Sequence, residues 1–163
     1  MRTRLVIAFL TVVSVLGAVT GQTEAQGFRQ YAAKFVCGRT TGTESAAFIA
    51  APGSYFTVIN VHNPALSAAI EFRKKFAVGL PAEKAGRVSE FFPASLKADE
   101  AMLIECRDIY SHLKVPVGTF LEGWVVLVSP ERELDVVGVY TAAPAGGGVS
   151  TLHMERVPVR LTQ

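Results

Sequence analysis

Two short stretches of the sequence are apolar at nearly every position and rich in β-branched and aromatic residues. In the first, Tyr55, Thr57, Ile59 and Val61 alternate with Phe56, Val58, Asn60 and His62, and Asn63-Pro64 closes it. The second, Phe120 to Val128, carries Leu121 and Trp124 to Val128 and ends at Ser129-Pro130. Strands that are apolar on both faces read as central ones, covered on both sides. Proline ends each because it cannot donate to a ladder. A chain with two such strands needs further strands to flank them.

The rest of the sequence supplies them. Tyr31, Ala33, Phe35 and Cys37 fall on one face of a period-two segment, with Lys34 on the other. Ile70, Phe72, Phe76 and Val78 share a face with Lys74, opposite Glu71, Arg73 and Lys75, and alternation fits this segment better than a helical stripe does. Gly79-Leu80-Pro81 breaks it, Ala82 to Gly86 reads as a helical turn or a loop, and Val88 to Phe92 is a short strand ending at Pro93. Ala101 to Ile109 reads as a strand that delivers Cys106 to the core. Leu134 to Thr141 is close enough to the Phe120 strand to form a hairpin with it. Val149 to Val157 is the last strand. About seven to eight strands at turn spacings, without strand–helix alternation, predict an all-β, single-domain antiparallel β-sandwich, Ig-like or related, over 26–163.

The chain opens with Arg2 and Arg4, an apolar run from Leu5 to Val19, and Thr23-Glu24-Ala25. This is the pattern of a secretory signal peptide, 1–25, cut after Ala25 or alternatively near Gly21. The run is shorter than the roughly 20 apolar residues of a membrane span, and no later run reaches that length. The expected location is therefore exported, periplasmic or extracellular, with no transmembrane span in the mature chain. Removing Arg2, Arg4 and Glu24 from 16 basic and 14 acidic residues lowers the net charge from +2 to +1. Nucleic acid is then not an expected partner, since it needs clustered cations. Arg73-Lys74-Lys75 is the only basic cluster, and it reads as a solvated strand face or sheet edge.

Cys37 and Cys106 are the two cysteines. In an oxidising compartment an even pair reads as a disulfide. A metal pair or a redox pair is the competing reading, weakened by the absence of C-x-x-C and of further ligands in pattern.

No motif for catalysis or a cofactor emerges. Gly146-Gly147-Gly148 precedes a strand and lacks the Lys of a phosphate loop. His62, His112 and His153 form no metal-binding spacing. His62 sits at a strand end, where it can bond a loop carbonyl. Ser54 is not in a nucleophile elbow. Glu131 with Glu133, and Asp99 with Glu100, read as surface pairs in turns. Trp124, Phe120 and Tyr140 read as core filler rather than a ligand platform. Three polar residues on apolar faces stand out as possible buried groups: Asp108, Lys74 and Asn60. Asp108 either caps the turn after its strand or pairs with Lys74 in the core.

Several strings, among them Lys34-Phe35-Val36-Cys37-Gly38, Ile59-Asn60-Val61-His62-Asn63-Pro64, Ile104-Glu105-Cys106 and Asp135-Val136-Val137-Gly138-Val139-Tyr140-Thr141-Ala142, resemble a group of uncharacterised exported bacterial proteins. The resemblance implies a bacterial source and supports pairing Cys37 with Cys106; it carries no catalytic residue, cofactor or activity. The expected function is a secreted or periplasmic non-catalytic domain with a structural or protein-interaction role and an unknown protein or extracellular ligand as partner. A small-molecule or glycan binding module, using the sheet face or the loops at 40–45, 79–87 and 143–148, is the alternative. A hydrolase assembled from distant residues ranks third.

Overall fold

The computed structural model of the protein describes residues 27–42, 50–130, 132–148 and 151–162. The leader read at 1–25, the second half of the loop at 40–45, Glu131 and the first two residues of the strand read from Val149 lie outside the described residues. The described chain is antiparallel β throughout, with one short helix. Its elements run β1 (Phe28–Thr40), β2 (Gly53–His62), β3 (Ile70–Leu80), β4 (Lys84–Val88), β5 (Phe92–Leu96), β6 (Ala101–Glu105), α1 (Cys106–Leu113), β7 (Leu121–Ser129), β8 (Asp135–Pro144), β9 (Thr151–Arg156) and β10 (Arg160–Thr162).

The strands join into one open sheet in the order β4-β3-β7-β1-β2-β8-β9, with β5 on β3, β6 on β2 and β10 on β1. Two wings meet at β1. Its residues Arg29 to Cys37 pair with β7, and Gly38 to Thr40 pair instead with β2. The switch falls at Gly38, whose φ of +97° lies in the left-handed region that glycine tolerates. Both wings feed one core. Tyr31, Phe35, Phe76, Val125 and Leu127 come from the first wing, Ile59, Val61, Ile104 and Val136 from the second, and Ile109 and Leu113 from α1.

Both apolar strands are central, as their composition predicts. β2 pairs with β8 along its length and with β1 and β6 on its other edge, while β7 lies between β1 and β3. Their pairing differs from the expected hairpin. β7 belongs to one wing and β8 to the other, because the edges of β7 are already filled by β1 and β3. The link between them joins the two wings, held at its ends where the Leu134 amide donates to the Tyr31 hydroxyl (2.8 Å) and the Ser129 hydroxyl to the Arg132 carbonyl (2.7 Å).

The strand expected over 101–109 stops at Glu105. Cys106 opens a helix whose buried residues Cys106, Ile109, Tyr110 and Leu113 follow helical spacing. A capping box starts it, the Glu105 amide donating to the Asp108 carboxylate at 2.9 Å. Two strands were not anticipated. β4 follows a turn in which Ala82 and Glu83 both have φ near +60°, with values of 59° and 58°. β10 follows Pro158 and pairs with the start of β1. The strand expected over Val88 to Phe92 is not formed: β4 ends at Val88, 89–91 are not strand, and Pro93 lies inside β5 rather than ending a strand, tolerated because β5 is an edge strand bonded only to β3.

Candidate interaction surface

β2 and β7 have the composition of strands buried on both sides, yet each leaves one face open. On β2 the inward face is Thr57, Ile59 and Val61, all buried. Its outward residues line up in rows with those of β8, β9 and β6. Phe56 lies opposite Thr141, and Thr141 opposite Leu152. Val58 lies beside Val139 and Glu105, and Val139 beside Met154. Asn60 lies beside Val137 and Leu103, and Val137 beside Arg156. Phe56 and Leu103 are each 54% exposed, Met154 63% and Leu152 64%. Singly exposed apolar residues are ordinary, but a continuous face of them is not.

Charge rims one end of this face. The His62 imidazole places Nε2 3.0 Å from the Asp99 carboxylate and Nδ1 3.7 Å from Asp135. The Arg156 guanidinium donates to the other oxygen of Asp135. His62 thus meets side-chain carboxylates rather than the expected loop carbonyl. The cluster ties the ends of β2, β8 and β9 to the turn before β6.

The three polar residues singled out from the sequence are not buried in the core. Lys74, Asp108 and Asn60 are all part-exposed. No ion pair joins Asp108 to Lys74 among the described residues; Asp108 serves α1 as its capping carboxylate. The buried asparagine is Asn63, three residues beyond Asn60 and fully inaccessible. Its amide nitrogen donates to the carbonyls of Ala68 and Lys97, both at 2.8 Å, and its oxygen accepts from the Ala65 amide at 3.1 Å. It therefore holds the loop after β2 against the end of β5. The Asn-Pro pair that marks a strand end was the available signal for it.

The aromatic residues also part company. Trp124 is 45% exposed on the outer face of β7, not core filler, with the Lys34 ammonium 5.7 Å from its ring centre. Tyr140 donates to Glu155 at 2.7 Å, and burial together with that acceptor holds its pKa far above the usual tyrosine range. His112 stacks on Phe76, with ring centres 5.1 Å apart, and lies 4.1 Å from Phe92. Burial, then the Lys74 ammonium, lowers its pKa, with Asp108 acting the other way.

Cys37 and Cys106 are bonded, with their α-carbons 5.6 Å apart. Both are buried, and the Thr57 amide donates to the Cys106 sulfur at 3.2 Å. Among the described residues, no group of three or more His, Cys, Asp or Glu side chains is placed to hold a metal ion, and no helix is long and apolar enough to cross a membrane.

No protein-family model matches the sequence, and no curated protein matches it. One solved structure, "Crystal Structure of Thermotoga maritima 1070", is similar with a TM-score of 0.50 at 6% sequence identity, covering 83% of this chain and 97% of that one. At that identity the likeness concerns the fold alone.

Proposed function

We propose that the chain is an exported, non-catalytic β-protein that engages a protein partner through the outer face of β6, β2, β8 and β9. The observation that carries this reading is the exposure of Phe56, Leu103, Leu152 and Met154 on adjacent strands, with Val58, Val137 and Val139 between them. An open, exposed apolar sheet face suits another protein surface better than a small molecule, which needs a deep concavity to lose most of its own surface. An aromatic and a methionine side chain within an apolar patch, with His62, Asp135 and Arg156 as a mixed-charge rim, are the composition of such interfaces. Export is supported by the signal-like leader and by the buried disulfide, which persists in oxidising compartments.

The test is a pair of surface variants, Phe56→Lys and Met154→Lys. Both side chains point outward, so each variant should unfold within about 0.5 kcal/mol of the parent. Used as bait on the source's envelope fraction, the parent should retain a protein that the double variant does not. A partner that binds parent and double variant equally would sink the proposal, as would a parent that retains none.

A further inference from the structure

The other wing presents an outer face of different chemistry. Residues opposed across β1, β7 and β3 share it in rows: Lys34, Trp124 and Ala77; then Ala32, Val126 and Lys75; then Gln30, Val128 and Arg73. Arg160 of β10 lies opposite Gln30. Two of the four cations share one aromatic ring: Phe91 lies 5.0 Å from the Arg73 guanidinium and 4.7 Å from the Lys75 ammonium. A third, Lys34, reaches both Trp124 and the Glu122 carboxylate, the latter at 3.0 Å. Beside these rows opens a cleft of about 560 Å³, lined by Phe28, Glu71, Arg73, Pro93, Ser95 and Val128.

We infer that this face binds an acidic polysaccharide of the uronic-acid type. Exposed Trp124 offers a flat platform, and an amphipathic ring of this kind suits a ligand that is apolar on one side and wet on the other, while Phe91 holds the Arg73 and Lys75 cations side by side over its ring. Arg73, Lys75 and Lys34 supply charge-assisted donors for carboxylates spaced along a chain. Glu71 and Glu122, on the same face, accept hydrogen bonds from sugar hydroxyls, whereas they repel a polymer that carries only negative groups. Ser95 adds a donor in the cleft. The basic cluster of β3 is thus divided: Arg73 and Lys75 belong to this face, while Lys74 turns toward His112. The site shares no strand face with the apolar surface of the other wing, so either proposal stands or falls alone.

Trp124 is the only tryptophan in the chain, so its emission reports on this face directly. The purified protein is titrated with polygalacturonate, followed by tryptophan emission and by calorimetry. Polygalacturonate should bind and move the emission, and Trp124→Ala and the double variant Arg73→Ala/Lys75→Ala should each weaken calorimetric binding by roughly 10-fold or more with unchanged circular dichroism. Neutral dextran and poly-glutamate should bind about 10-fold or more weakly than polygalacturonate. The assignment is overturned if polygalacturonate fails to bind, if it binds without moving the emission of the parent protein, or if poly-glutamate binds as well. The parent's emission needs no variant to fold.

Discussion

His112 is a residue whose charge the fold resists. Packed on Phe76 and Phe92 and faced by Lys74, its imidazole has a pKa below the ordinary 6.5, with Asp108 as the one opposing charge. The unfolded chain therefore takes up this proton at a higher pH than the folded one. The contribution of His112 to stability is complete above about pH 6.5 and declines as pH falls from there toward the lower folded value. Replacing it by phenylalanine keeps a ring in the stack and removes the titration. Thermal unfolding of His112→Phe should then lose less midpoint than the parent on going from roughly pH 7 to pH 5. Parallel curves for the two proteins would count against this account. Little of it was legible in the sequence, because His112 meets Phe92 and Lys74 only through the packing of α1 on β3 and β5. The same holds for Asn63, whose side-chain bonds join loops about thirty residues apart in sequence, and for Trp124, whose exposure depends on what does not cover β7.

At the scale of elements, strand positions were readable and strand partners were not. Period-two alternation marks β1 and β3, and runs of apolar, β-branched residues mark β2, β7 and β8, because each has a buried side. The partner of a strand depends on which edges are free, and a short link such as the one from Ser129 to Leu134 can as well pass from one wing to the other as turn a hairpin. α1 escaped because eight residues give little periodicity, although Glu105 with Asp108 was a capping signal in plain view. Gly38 carries the largest local demand. A β-carbon there would sit 2.2 Å from the Thr119 carbonyl oxygen, at a positive φ. Gly38→Ala should cost about 3 kcal/mol, read as a lowered urea midpoint, since it combines a disfavoured backbone region with a backbone clash. A change under about 0.5 kcal/mol would mean that the β1 switch is not constrained as described.

For the molecule as a whole, the disulfide is the cross-link that matters most. It closes a loop with a sequence separation of 69 between β1 and α1, in the shared core of the two wings. In the chain-entropy view a loop of that size contributes about 4 kcal/mol, a large share of the 5–15 kcal/mol typical of a domain. Denaturant unfolding with and without reductant should show a loss of about that size, and Cys37→Ala with Cys106→Ala should reproduce it. Equal midpoints would show that the bond is dispensable.

The position of β1 also bears on how the molecule can come into being. Its ladders are completed by residues 53–55, 121–129 and 160–162. Almost every native contact of the first strand therefore joins parts of the chain that are far apart in sequence. A topology of this kind folds on the slow side, in roughly milliseconds to seconds. A chain threaded N-terminus first through a translocation pore would hold Phe28–Thr40 without its long partner until Ser129 had emerged. On the exported reading proposed above, the strand that leaves first is then the one sealed last, and its edges stay open to other chains for most of the passage.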